Sequence, residues 1–197
     1  EKKLPSTDIR FFVVTPEVVE DPKGKLKSYL KSPEDPEYLE RYEKIFAQDK
    51  AEAIQAVLSK EDRYRDKYGP AFTEERIDLI VTWHLLSGID LDGLFEEVAS
   101  MIGEVRDFES KFADIKKVQI RFAEDAMDEI LNRAVTGGTS ATTVCQQVSG
   151  DYDYALKLIM DKTGQQEFIL TREAIEDPEA YINDLIRSSY GTSPFAI

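Results

Sequence analysis

From Glu37 onward the apolar residues of this 197-residue chain recur at three- and four-residue intervals, a period that commits most of it to amphipathic helices. Leu39, Tyr42, Ile45 and Phe46 begin the pattern, and Ile54, Val57 and Leu58 continue it. Tyr64 and Tyr68 come next, four apart, and Gly69-Pro70 ends the stretch. Thr73 is placed to cap a helix carrying Ile77, Ile80, Val81 and Leu85, which Gly88 closes. Asp90 is placed to cap the next, with Leu91, Leu94, Phe95, Val98 and Ile102 on one face that runs on through Val105, Phe108 and Phe112. A helix with Ala126, Met127, Ile130, Leu131 and Ala134 is expected to end at Gly137-Gly138. Further helices are expected from Ser140, over Tyr152–Lys162, and from Pro178 with Tyr181, Leu185 and Ile186.

Three short runs depart from that period. Ile9–Val14 is β-branched and aromatic and reads as a buried strand stopped by Pro16. Val118–Phe122 alternates apolar and polar residues, as a half-buried strand does, and Gln166–Leu170 reads as a third strand. Pro22, Pro33 and Pro36 punctuate a polar stretch expected to be loop, with one helical turn around Leu26–Leu30. The fold class is therefore α+β and predominantly helical: a helical region plus a small α/β domain with a short sheet. We place an N-terminal strand plus helical region at 1–112, the small α/β domain at 113–191, and a mobile tail at 192–197. Within this frame Phe72–Ile80 and Phe122–Ile130 echo each other, with a Phe at the entry, acids in the first turn, and an Asp and an Ile at matching places.

Acidic side chains outnumber basic ones 39 to 25, a formal charge of −14, which argues against a general binder of phosphate backbones. The excess is not uniform. Residues 1–70 carry 14 basic and 15 acidic side chains, so nearly all of the surplus lies beyond Pro70. No apolar run approaches the roughly 20 residues needed to cross a bilayer. One Cys and one His allow neither an internal disulfide nor a zinc set. These features, with no basic-then-apolar leader near the start, lead us to expect a cytoplasmic protein that contacts neither membrane nor nucleic acid. Because the sequence opens on Glu1, we expect it to be part of a larger protein.

Several residues invite chemistry. Thr136-Gly137-Gly138-Thr139-Ser140 leads into a helix start, a place that binds phosphate in other proteins, but it holds no Lys and also reads as a hydroxyl-capped turn. No spacing gives His84 a nucleophile or carboxylate partner, and Cys145 early in a helix reads as a lone buried thiol. Asp90, Asp92, Glu96 and Glu97, with Glu75 and Asp78 nearby, carry oxygen ligands for a hard cation but lack the calcium-loop spacing; a solvated helix start is the simpler reading. Tyr38, Tyr42, Tyr64 and Tyr68 lie among Lys44, Arg63, Arg65 and Lys67, but the interleaved Glu61, Asp62 and Asp66 cancel the basic field.

The stretch Val118–Thr171 carries a family resemblance. A strand leads into Phe122-Ala123-Glu124-Asp125-Ala126-Met127-Asp128-Glu129-Ile130, then come a small-residue turn, helices ending near Met160, the strand Glu167–Thr171 and Glu173-Ala174-Ile175. This resembles the C-terminal small domain, or lid, of AAA+ ATPases of the Clp unfoldase and Lon kind. There a Phe-x-x-Glu-Ala-Leu-x-x-Ile helix comes after a strand, and a Thr-Gly-Ala-Arg turn opens the next helix. The family's turn carries a sensor arginine that reaches the nucleotide; Thr142 stands in that place here. The resemblance implies that Thr139, Ser140 and Thr142 lie near a nucleotide held by the parent protein. It also implies partners: a nucleotide-binding domain or neighbouring subunits of a parent ATPase, and protein clients. No Gly-x-x-x-x-Gly-Lys-[Ser/Thr] loop occurs, so no cofactor is expected on this chain alone, with ATP and magnesium belonging to the parent. The expected function is that of an accessory C-terminal portion of a AAA+ type ATPase, without catalysis of its own. The alternative is a stand-alone acidic helical adaptor or regulatory interaction module, and a third is a hydrolase using the acidic cluster with a metal.

Overall fold

The computed structural model describes residues 16–31 and 36–191. The strand expected over Ile9–Val14 and the tail after Gly191 lie outside the described residues. The chain divides into two compact units, Glu1–Ala53 and Ile54–Ile197.

The first unit contains α1 (Pro16–Glu20), α2 (Pro22–Lys31) and the start of α3 (Pro36–Leu58). Each of the three opens on a proline, whose missing N–H is one that a helix start leaves unpaired anyway. The stretch after Pro22 is thus a ten-residue helix and not the expected loop with one helical turn. Asp21 reinforces that start by accepting the Gly24 N–H at 3.0 Å.

Within the second unit, α4 (Glu61–Tyr68) and a 3-10 turn at Gly69–Ala71 lead to α5 (Glu74–Ser87) and α6 (Leu91–Lys116). Then come β1 (Gln119–Phe122), α7 (Glu124–Gly137), α8 (Ala141–Thr163), β2 (Glu167–Leu170), α9 (Arg172–Glu176) and α10 (Pro178–Gly191). The predominantly helical α+β class holds. The caps fall where hydroxyl and carboxylate side chains allow them. Thr73 accepts the Arg76 N–H, Asp90 that of Gly93 and Ser140 that of Thr143, at 3.3, 2.9 and 3.1 Å. Gly88 closes α5 in the left-handed region, which glycine enters without a Cβ penalty. The separate helices expected from Ser140 and over Tyr152–Lys162 are one helix. Val144, Cys145, Val148, Tyr152, Leu156 and Ile159 form one buried stripe along it, and that packing outweighs the roughly 1 kcal/mol cost of Gly150 inside a helix.

β1 and β2 pair in parallel, from Gln119 opposite Glu167 to Phe122 opposite Leu170. A parallel pair needs a long crossover, and α7 with α8 supplies it. Ile120, Phe122, Phe168 and Leu170 point inward, while the alternate residues are exposed. Two strands alone are marginal, so the pair depends on helices. α6 covers the outer edge of β1: Glu109 accepts the Phe122 N–H at 2.7 Å, and Arg106 donates to the Phe122 carbonyl at 3.3 Å. On the other edge the Tyr181 hydroxyl donates to the Ile169 carbonyl at 2.8 Å.

The two helices of the sequence echo are joined by one buried cation. Arg76 of α5 is 2% exposed. Its Nε donates to Asp128 and its Nη2 to Glu124, both on α7 and both at 2.7 Å, and its Nη1 donates to the Pro70 carbonyl. Arg106 reaches the same Glu124 at 3.2 Å, which ties α6 to the junction. Removing one member of a buried pair strands the other. We expect Arg76→Met to lower unfolding free energy by roughly 3–5 kcal/mol in urea titrations. Arg76→Met combined with Asp128→Leu should recover most of that loss.

Candidate functional site

The glycine turn and the start of α8 hold Thr139, Ser140 and Thr142, the three residues for which the resemblance implied a site. Gly138 takes a positive φ of 59°, which lets the Thr139 N–H fold back to the Ala134 carbonyl at 3.0 Å. The chain then enters α8 with Ser140 as its cap, the Ser140 and Thr143 hydroxyl oxygens 2.8 Å apart. Thr139, Ser140 and Thr142 therefore share one turn. The residue that sequence reading misses is Glu104. Its Oε2 accepts both the backbone N–H and the hydroxyl of Thr142, each at 3.1 Å. Glu104 lies 38 residues earlier on α6, in no motif with Thr142, and only the packing of α6 on α8 reveals the pairing.

This carboxylate sits where a helix start favours negative charge. The Thr142 and Thr143 N–H groups are engaged, and an arriving phosphate meets a carboxylate of its own sign. Thr142 thus has a partner within the fold at the place where the resembled family carries its sensor arginine.

The other singled-out residues are dispersed. His84 is in the last turn of α5 with Nδ1 2.5 Å from the Ile89 carbonyl. A carbonyl only accepts, so Nδ1 carries the proton, and the contact is to backbone rather than to a carboxylate. Cys145 is buried on α8, and burial, reinforced by Glu109 and Glu104, pushes its thiol up to about 12. It stays protonated at neutral pH and is a packing residue, not a nucleophile. In the acidic run Asp90 is a cap, Asp92 pairs with Arg63 at 2.6 Å, and Glu96 pairs with Lys67 at 2.9 Å. Among the described residues, no group of three or more His, Cys, Asp or Glu side chains is arranged to hold a metal.

The tyrosine-rich region splits. Tyr42 meets Phe46 on α3 at a ring separation of 5.8 Å. Tyr64 and Tyr68 of α4 are buried against Phe95 of α6, at 4.8 and 5.2 Å, with Phe72 beside them. Their rings are spent on docking α4, and the Arg63–Asp92 and Lys67–Glu96 pairs flank that seam. Burial raises the Asp92 pKa, but the Tyr64 hydroxyl, Arg63 and Lys67 outweigh it and hold the group below the usual carboxylate range. Burial and the neighbouring Asp92 charge raise Tyr64.

Comparison with protein-family models, with curated proteins and with solved structures finds no match to this chain.

These environments lead to two expected outcomes. Cys145 should not react with a thiol reagent such as DTNB at pH 8 in the native protein, and should titrate fully once the chain is unfolded. Because Asp92 is lowered in the fold, its contribution is complete above the usual carboxylate range and is lost as pH falls through its folded value. Near-UV circular dichroism of the tyrosines should show α4 loosening on acidification, and Asp92→Asn should remove that transition.

Proposed function

We propose that this chain is the accessory C-terminal portion of a AAA+ type ATPase of the protein-unfolding or proteolytic kind. It would act in the cytoplasm, packing on a nucleotide-binding domain and supporting ring assembly. The observation that carries this is the order of elements from β1 to α9. A strand leads into a helix opened by Phe122 and Glu124, then come a glycine turn and a hydroxyl-capped helix. A second strand then lies beside the first, and Thr171-Arg172-Glu173 opens the next helix. That order, with those residues at those places, is what the resemblance to the lid domain leads one to expect. The chain carries no phosphate loop, so ATP, magnesium and the transfer chemistry belong to the parent protein. With Glu104 on Thr142, the turn contributes shape and contact, and no cation, toward a nucleotide.

The second reading, an acidic adaptor, draws on a different observation. Leu86 and Ile89 are exposed at the end of α5, beside the exposed Asp90. An apolar patch with adjoining negative charge suits a basic partner.

Calorimetry separates the two. Titration of ATP or ADP into this chain alone should give no binding heat, while the parent protein should bind. Tight nucleotide binding by this chain alone, or a parent gene that starts close to Glu1, would overturn the lid assignment. Salt-sensitive binding to a basic protein by the isolated chain would favour the adaptor.

A further inference from the structure

We infer that the groove between α6 and α8 is a self-association surface, on which α6 of a second copy lies antiparallel against α6. This goes beyond the lid assignment and does not depend on it. The groove encloses about 510 Å³, with Phe108, Phe112 and Ile115 on its α6 side and Gln146, Ser149 and Gly150 on its α8 side. Ile115 is 74% exposed beside the part-buried Phe108 and the buried Phe112, which extends the apolar lining of the groove to the surface.

Two glycines sit in helix interiors nearby, Gly103 on α6 and Gly150 on α8. A β-carbon built on either would meet nothing within 4 Å. A glycine inside a helix costs stability relative to alanine, and no close contact within the fold requires one at either place. Bare backbone at these two points leaves open space into which a further helix could fit closely.

The charges on α6 identify the occupant, because they complement themselves. Asp107 and Lys111 are four residues apart with the acid first, the better order for an intrahelical pair. Among the described residues they nevertheless make no ion pair, with each other or with any other side chain. Place two copies of α6 antiparallel with the two-fold axis level with Glu109. Asp107 then faces the partner's Lys111, and Lys111 faces the partner's Asp107. The same register sets Ile115 over the partner's Gly103. The contact runs for about 18 Å along the helix, from Gly103 to Ile115. A two-fold interface uses one patch twice, so each complementary pair counts double. Asp114 lies opposite the partner's Glu104 in this register, a like-charge contact that offsets part of the gain and that salt screens together with the attractive pairs.

Sedimentation equilibrium of the whole chain tests the inference. The wild type should show a concentration-dependent monomer–dimer equilibrium. Asp107→Lys and Lys111→Asp each turn two attractions into two repulsions, and each should weaken the dimer roughly tenfold or more. The double variant restores both pairs with signs exchanged and should return to near wild-type affinity. A chain that stays monomeric at every concentration overturns the inference, including the case where the groove takes a helix from another protein. So does a dimer indifferent to the single swaps, or a double variant no tighter than the singles. No arm involves nucleotide, so failure here is distinct from failure of the lid assignment.

Discussion

The second unit is organised around a buried guanidinium. Arg76 comes from α5, and its two carboxylate partners come from α7, which begins after the chain has run through α6 and β1. The charge has little access to water, so it is compensated in place or not at all. That requirement fixes the approach of α5 to α7 more narrowly than apolar contact alone, since hydrocarbon packing tolerates sliding and a forked donor does not. Glu124 is shared with Arg106, and Arg106 also reaches the Phe122 backbone and Glu109. A single electrostatic junction therefore sets three helices, α5, α6 and α7, and the edge of the sheet at once.

Much of this was legible in the sequence, for reasons that can be stated residue by residue. Thr73, Asp90, Ser140 and Gly88 marked helix ends because the chemistry of a cap is local. The alternation at Gln119–Phe122 and Glu167–Leu170 marked strands because one face is buried. What escaped was either non-local or a contest between local rules. Pro22 and Pro36 suit both a loop and a helix start, and the residues after each proline decide between them. The helix from Ser140 and the one over Tyr152–Lys162 were expected apart because local pattern ignores the buried stripe that joins them. The echo between Phe72–Ile80 and Phe122–Ile130 was visible as pattern, yet nothing in it told that Arg76 of one copy would bind the acids of the other.

The candidate site shows the same limit. Its hydroxyls and glycines could be placed on one turn, since they are contiguous. Glu104 could not, because its role depends on how α6 crosses α8. With it in place, the start of α8 holds a carboxylate of the protein's own on the backbone N–H and hydroxyl of Thr142. The surplus acid beyond Pro70 is likewise partly absorbed, as caps, as partners of Arg63, Lys67, Arg76 and Arg106, and as cover for a strand edge.

The parallel pairing of β1 with β2 also constrains how the protein is made. Ribosomes release the chain from its N-terminus, and β1 has no backbone partner until β2 emerges, after the whole of α7 and α8. Until then the β1 edge that will meet β2 is open. Closing so long an intervening segment is entropically slow compared with forming the helices themselves. The helices α6 to α8 therefore have time to form first, and the sheet closes only once β2 has followed them. A synthesis pause before Leu170 would leave a strand with one edge guarded by Arg106 and Glu109 and the other bare, the state in which such a chain most needs a chaperone.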